Sequence, residues 1–233
     1  MLLPVTGERT MGTIGSRLRA GLMIAAAFGG ATIAAAAQAS AASAAPSEAA
    51  AVTGEARPVS GWSEFCARMP KECALDVAEP PAIVLSPRTR RLIASVNSRV
   101  NATVRSMTDE EHWGISDRWD LPADGFGDCE DYQLLKRRLL AEAGLPRRAM
   151  RMTVVVDETG DGHAVLIVRT DRGDVVLDNR TDAVLPWHRT GYAFVKRESQ
   201  SSAAAWVSLG AAAAPAATAA DPHSGVGTPP SIR

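Results

Sequence analysis

The spacing of apolar residues changes once along this chain, and that change constrains the fold more than any other feature. Before Gly144 the apolar residues recur at helical spacing, whereas after Pro146 they form short alternating or β-branched runs. A chain that passes once from helices to successive strands has the α+β layout. We therefore predict an α+β fold in which two helices precede an antiparallel meander.

The limits of these elements follow from capping and turn residues. Ser86 and Pro87 are typical of a helix start, which predicts a helix over about 87–107. A second helix is predicted from Cys129 to about residue 143, where Gly144 and Pro146 end it. Strands separated by glycine-containing turns are predicted at 150–157, 163–169, 174–178 and 192–196.

Both ends of the chain differ in composition from its middle. Residues 1–60 and 199–233 are dominated by Ala, Ser, Gly and Pro, which have too little apolar bulk to offset chain entropy. We expect one folded domain at 61–198, a disordered linker at 41–60 and a disordered tail at 199–233. The net charge of −1 favours neither nucleic acid nor an anionic surface as a partner.

The N-terminal residues have the features of an export signal. Arg17 and Arg19 precede an uncharged, largely apolar stretch at 21–37, and Ala37-Gln38-Ala39 fits a cleavage site. We predict a signal peptide over 1–40 and a periplasmic protein, with an uncleaved membrane anchor as the alternative. An oxidising compartment permits a disulfide between Cys66 and Cys73, which leaves Cys129 as the unpaired thiol.

Cys129 lies in the first turn of the second predicted helix. Unpaired backbone N–H groups and the helix dipole stabilise an anion there, so the position favours the nucleophilic thiolate. The same N–H groups could receive an oxyanion formed on attack at a carbonyl. A lone cysteine near a helix start is more often an inert small apolar residue, and this alternative stays open without a partner base.

His163 and Asp178 supply such a partner. Around a turn at 170–173, residues whose numbers sum to about 341–344 face each other, and these two sum to 341. An aspartate beside a histidine fixes its tautomer and stabilises its charged form, as in a catalytic triad. Of the other histidines, His112 and His223 have no predicted carboxylate partner, and His188 could cap a loop.

Three carboxylates, those of Asp128, Glu130 and Asp131, surround the predicted nucleophile. A like charge about 6 Å away costs a thiolate roughly 3 kcal/mol at an effective dielectric of 20, which exceeds what the helix dipole returns. Either a hard cation such as Ca²⁺ is bound by these oxygens, or the acids only complement the dipole.

Three motifs in this order resemble the bacterial transglutaminase-like cysteine proteinases, the family of LapG-type periplasmic proteases. They are Gly127-Asp128-Cys129-Glu130-Asp131-Tyr132, Gly162-His163-Ala164-Val165-Leu166 and Val176-Leu177-Asp178-Asn179. The resemblance implies a papain-like or transglutaminase-like α+β fold in which the cysteine helix packs on the sheet that carries histidine and aspartate. It implies a Cys129–His163–Asp178 triad and calcium bound by Asp128, Glu130 and Asp131.

The same resemblance matches Trp119 to a tryptophan that lines the substrate groove, with core packing as the alternative. It also implies a protein substrate, such as a cell-surface adhesin, and a membrane-bound inhibitor receptor as a further partner. We therefore predict an exported, monomeric, calcium-assisted cysteine endopeptidase. The alternatives are acyl transfer to an amine, as in transglutaminases, and a non-catalytic calcium-binding domain of the same fold.

Overall fold

The computed structural model describes residues 49–210, all of which belong to one compact unit. The predicted signal peptide at 1–40 and residues 211–233 of the predicted tail lie outside the described residues. The helices within 49–210 are α1 (Ser60–Arg68), α2 (Pro70–Cys73), α3 (Pro87–Thr103), α4 (Asp109–Trp113) and α5 (Cys129–Glu142). Short 3-10 helices occupy Arg147–Ala149 and Trp187–Arg189.

The strands form one large sheet and one small one. A parallel pair, β2 (Arg105–Ser106) and β3 (Phe126–Gly127), lies immediately before α5. The large sheet has the order β1-β9-β8-β4-β5-β6-β7 and its pairs are antiparallel. Its strands are β1 (Gly54–Ala56), β4 (Met150–Val156), β5 (Gly162–Thr170), β6 (Gly173–Leu177), β7 (Leu185–Pro186), β8 (Ala193–Glu198) and β9 (Trp206–Ser208).

The predicted α+β class is confirmed, but the predicted meander holds for only part of the sheet. Strands β4, β5 and β6 each pair with the next strand in the chain, whereas β8 pairs with the other edge of β4 instead of with β7. This places β4 and β5, the most apolar strands, in the middle of the sheet, where both of their edges are paired. An alternating residue pattern predicts which face of the sheet a side chain occupies, but it does not predict which strand pairs with which.

The sheet also extends beyond the predicted domain limits of 61 and 198. Strands β1 and β9 pair with each other, and β9 pairs with β8, so both segments predicted to be disordered contribute a strand. Trp206 of β9 is 1% exposed and supplies the apolar bulk that the surrounding alanines and serines lack. The short length of both strands explains why composition alone did not reveal them.

Helices α1, α3 and α5 bury their apolar sides in one core on a single face of the sheet. Helix α5 packs on the central strand β5 and on α3, and its first turn contacts the start of β5 through Cys129 and Ala164. The predicted disulfide between Cys66 and Cys73 is confirmed, with a Cα–Cα distance of 5.5 Å. No helix within residues 49–210 has the length and apolar character needed to cross a bilayer.

Candidate active site

The segment that leads into α5 determines where Cys129 lies. The extended backbone of β3 ends at Gly127, Asp128 occupies the N-cap position, and Cys129 is the first residue of the helix. A Cβ atom on Gly127 would lie 2.6 Å from Oδ2 of Asp131, so only glycine allows the strand to pass this close to the helix. The predicted placement of the cysteine in the first turn is therefore what the structure shows.

The thiol of Cys129 is partly buried between the sheet and an acidic side chain. Its Sγ accepts the backbone N–H of Ala164 at 3.4 Å and donates to Oε2 of Glu130 at 3.1 Å. Burial, followed by the charges of Glu130 and Asp128, raises the pKa of this thiol well above its usual range. The acidic surroundings thus favour the neutral thiol, in the direction expected from the charge pattern.

The imidazole of His163 lies on the same stretch of β5 as Ala164. His163 is 1% exposed, and its Nε2 lies 2.9 Å from Oδ1 of Asp178, just after β6. In the β5–β6 hairpin the numbers of paired residues sum to 343, whereas those of His163 and Asp178 sum to 341. The two residues are therefore not direct partners in the ladder, but their side chains still meet. With Nε2 bound to the carboxylate, Nδ1 is the ring nitrogen that Asp178 does not engage.

Two further groups, which no sequence pattern indicated, donate hydrogen bonds to Asp178. The hydroxyl of Tyr192 donates to Oδ2 at 2.6 Å, and the backbone N–H of Arg180 donates to Oδ1 at 3.1 Å. Burial alone would raise the pKa of Asp178, but the hydrogen bonds from His163, Tyr192 and Arg180 lower it to about 2. The aspartate is therefore ionised throughout the neutral range, as an orienting group for histidine must be.

Nothing in the local sequence around Tyr192 distinguishes it from any aromatic residue at a strand start. Its ring packs edge-on against His163, with the ring centres 5.6 Å apart. Tyr192 immediately precedes β8, and because β8 pairs with β4, the sheet order brings this side chain to Asp178.

A buried acidic cluster lies beside the thiol. Two groups of carboxylates each have oxygen atoms within 4.8 Å of one another: Asp109, Asp117 and Glu130, and Asp109, Asp128 and Asp131. The three predicted metal-binding residues therefore all belong to this region. Asp109, at the start of α4, is common to both groups and was missed, although the acid-rich segment that contains it was a visible signal.

These carboxylates are short of compensating positive charge. Burial, together with the charge of Asp128, raises the pKa of Asp109 to about 7, and burial and like charges also raise those of Glu130 and Asp131. Glu130 is fully buried, and its Oε1 has no hydrogen-bond donor among residues 49–210. Such a cluster of buried oxygens could hold a metal ion.

Trp119 does not line an open groove. It is fully buried, stacks edge-on against Trp62 and Trp206, and donates its indole N–H to Oδ1 of Asp117 at 3.0 Å. This environment favours the core-packing alternative over the predicted contact with substrate. Through this hydrogen bond the aromatic cluster contacts Asp117, which is a member of the acidic cluster.

His112 has the carboxylate partner that the sequence did not predict for it. Its Nε2 lies 2.8 Å from Oδ2 of Asp124, and its ring stacks on Trp113. These residues, together with Asp131 and Phe126, line a recess beside the acidic cluster. Asp124 is exposed, and Cys129, the free thiol of the described residues, does not line this recess.

A free thiol at a helix start, in contact with the strand that carries a buried histidine held by an aspartate, is the arrangement of a cysteine hydrolase of the papain or transglutaminase class. The chain belongs to the family described as bacterial transglutaminase-like cysteine proteinase, BTLCP, whose model matches residues 52–214. This match includes both strands that lie outside the predicted domain limits.

Three solved structures of LapG from Legionella pneumophila are similar to the chain, one of them a calcium-bound form and one an EGTA-treated form. The sequence identity is 28%, with TM-scores of 0.42 for the calcium-bound form and 0.41 for the other two. The alignment covers 49% of this chain and 64–66% of the LapG chains, less than two thirds of their length. No curated protein matches the chain.

Proposed function

We propose that this chain is a cysteine endopeptidase in which Cys129 is the nucleophile, His163 the general base and Asp178 the residue that orients His163. The proposal rests on two contacts made by neighbouring residues near the start of β5. His163 is bound to Asp178 at 2.9 Å, and the adjacent N–H of Ala164 contacts the thiol of Cys129.

In this mechanism Nδ1 of His163 takes the proton of Cys129, and the resulting thiolate attacks a peptide carbonyl. The oxyanion faces the free N–H groups at the start of α5. The imidazolium then returns its proton to the leaving amine, and an acyl-thioester remains on Cys129. Water, deprotonated by His163, hydrolyses the thioester and restores the free thiol.

The acidic cluster fits a calcium ion. Its donors are oxygen atoms only, and Glu130 Oε1 is buried without a hydrogen-bond donor among the described residues. Burial, followed by the charge of Asp128, raises the pKa of Asp109 to about 7. We assign Asp109, Asp128, Glu130 and Asp131 as the residues that would hold Ca²⁺. The bound cation would supply positive charge that offsets the carboxylates beside the thiol.

We further propose that the protein acts in the periplasm on a protein substrate such as a surface adhesin, under a membrane-bound inhibitor receptor. Support comes from the family, from the predicted signal peptide and from the Cys66–Cys73 disulfide, which suits an oxidising compartment. The calcium-bound LapG structure is the relative that supports the metal assignment.

The test is alkylation of the purified protein by iodoacetamide, with mass spectrometry to locate the label. We expect Cys129 to react far faster near pH 7 than a free cysteine, more slowly in chelator, and at the ordinary rate in His163→Ala. An ordinary rate in the wild type, unchanged by His163→Ala, would refute the proposal in favour of a non-catalytic domain.

The reaction type needs a second assay. The wild type and Cys129→Ala are incubated with an extract of bacterial surface proteins and a fluorescent primary amine. New N-termini that depend on Cys129 indicate hydrolysis, whereas incorporation of the amine without new N-termini indicates acyl transfer and contradicts the endopeptidase proposal.

A further inference from the structure

The segment that carries Asp178 makes no strand pairs of its own. Residues 178–184, which we call the Asp178 loop, lie between the end of β6 at Leu177 and the start of β7 at Leu185. The carbonyl groups of this loop therefore lack the hydrogen bonds that a neighbouring strand would supply. Another part of the molecule has to hold the loop against the sheet.

Two asparagines of α3 hold the Asp178 loop. Asn97 and Asn101 are one helical turn apart and lie on the same side of the helix. The side-chain NH2 group of Asn97 donates to Thr181 O at 3.0 Å. That of Asn101 donates to Asp178 O at 3.0 Å, to Thr181 O at 3.1 Å and to Oδ1 of Asp182 at 2.9 Å. Of these two residues, Asn101 is the one that donates to the main chain of Asp178.

The side-chain amide of Asn101 acts as a donor in all of these contacts. Because its three partners are acceptors, only the NH2 end of the amide can face them, and its two hydrogens are shared among three oxygen atoms. Its own Oδ1 is buried and has no hydrogen-bond donor among residues 49–210. An unpaired buried carbonyl costs stability, so stability alone does not account for an amide at this position.

The main chain of Asp178 determines where its carboxylate can lie, because the side chain of aspartate is short. Oδ1 of Asp178 lies 2.9 Å from Nε2 of His163 on β5, whereas its carbonyl oxygen is bound to Asn101 on α3. Asp178 is thus held by the sheet through its side chain and by the helix through its main chain. A shift of about 1 Å at a catalytic group can cost a hundredfold in rate.

We propose that Asn101 is a positioning residue of the active site, which fixes the main chain of Asp178 so that its carboxylate meets His163. The inference rests on the proposed function, in which Asp178 orients His163. It assigns Asn101 no contact with substrate or with the reacting atoms.

The experiment compares Asn101→Ala and Asn101→Asp with the control Val100→Ala. Asn101→Asp keeps the size of the side chain but replaces the donor with an acceptor, so it separates the loss of hydrogen bonds from the loss of packing. Val100 precedes Asn101 on α3, is 1% exposed and packs in the core. Its replacement lowers stability without removing a hydrogen bond to the Asp178 loop.

The first measurement is the proton NMR resonance of the Nε2–H group of His163, identified by its absence in His163→Ala. A proton held in a hydrogen bond to a carboxylate resonates downfield of a free imidazole N–H. We expect this resonance to move upfield or to be lost in both Asn101 variants. It should keep its wild-type position in Val100→Ala, although all three substitutions lower the thermal midpoint.

The second measurement is the Cys129-dependent release of new N-termini from the extract of bacterial surface proteins. The rate should fall about tenfold to a hundredfold in both Asn101 variants, as the displacement of a catalytic group predicts. Val100→Ala should release N-termini at the wild-type rate below its thermal midpoint.

An unmoved His163 resonance in both Asn101 variants would overturn the inference and leave the proposed function intact. So would loss of the resonance in Val100→Ala, because any weakening of α3 would then have the same effect. Failure of both Asn101 variants to fold would also overturn it, since Asn101 would then act in folding and not in the site. A wild type that shows the resonance but releases no new N-termini would refute the proposed function itself, and the positioning role with it.

Discussion

At the residue scale, the hydrogen bonds of Asp178 determine how the imidazole of His163 is held. One carboxylate oxygen accepts from His163 and Arg180, and the other accepts from Tyr192. Because both oxygens are occupied, the carboxylate cannot rotate without losing a donor. The imidazole that it holds is fixed in the same way.

Replacing Tyr192 by Phe tests this arrangement through pH. The pKa of Asp178 is about 2, below its ordinary 3.8, so its contribution to stability is complete above about pH 4 and lost as the pH falls through 2. Tyr192→Phe should raise that pKa and cost about 1.5 kcal/mol above pH 4, with the difference vanishing near pH 2. Urea unfolding at a series of pH values measures this.

The matched control is Tyr132→Phe, which also removes a buried hydroxyl. Tyr132 donates to Val104 O at 2.7 Å, away from Asp178. It should lower stability without the acid-dependent change and should leave alkylation of Cys129 unaffected, whereas Tyr192→Phe slows it about tenfold. Equal alkylation rates in the two variants would show that Tyr192 does not position the site.

Asp109 is the residue on which the calcium assignment depends most, because it belongs to both carboxylate groups. We expect Asp109→Asn to weaken Ca²⁺ binding by about tenfold to a hundredfold, as loss of a ligand or its support does. Isothermal titration calorimetry measures the affinity. Glu110→Gln, the adjacent exposed acid, is the control and should bind as the wild type does.

At the scale of elements, strand β9, which lies between the edge strand β1 and β8, contributes to the core as well as to the sheet. Trp206 packs against Trp62 and Trp119, with ring centres 6.4 Å from each. This aromatic cluster joins β9 to α1 and to the segment before β3, and Trp119 within it donates a hydrogen bond to Asp117 of the acidic region.

Trp206→Ala should destabilise the protein by about 3–5 kcal/mol, because it leaves a cavity among large buried rings. Trp113→Ala makes the same substitution at a side chain that is 43% exposed and should cost less than about 1 kcal/mol. Chemical unfolding of both variants gives the comparison. Similar costs would mean that β9 is dispensable and that the domain ends near the predicted limit of 198.

At the scale of the whole molecule, one disulfide links the first two helices of the described residues. The Cys66–Cys73 disulfide joins α1 to α2, and Glu72 between them accepts hydrogen bonds from Arg137 and Arg147. The link therefore stabilises a contact between the first helices, α5 and the turn that precedes β4.

Replacing both Cys66 and Cys73 by Ser should lower the free energy of unfolding by about 2.5 kcal/mol, the chain-entropy value for so short a loop. Thiol titration of the unfolded, unreduced wild type should find one thiol, that of Cys129. Reductant should destabilise the wild type to the level of the double variant and leave that variant unchanged. Three thiols before reduction would refute the link.

The sequence by itself determined the features that depend on neighbouring residues. Spacing, caps and turns located α3 and α5 and the strands β4, β5 and β6 to within a few residues, because these signals are local. The register of one hairpin was enough to bring His163 within reach of Asp178, since a short turn limits how two strands can pair.

Only the tertiary structure decided the rest. The return of β8 to β4, which delivers Tyr192 to Asp178, and the approach of Asp109 to the start of α5 join segments far apart in sequence. The burial of Trp119 depends in the same way on which elements cover it. Such contacts follow from how the whole chain fills its core, and no local pattern encodes that choice.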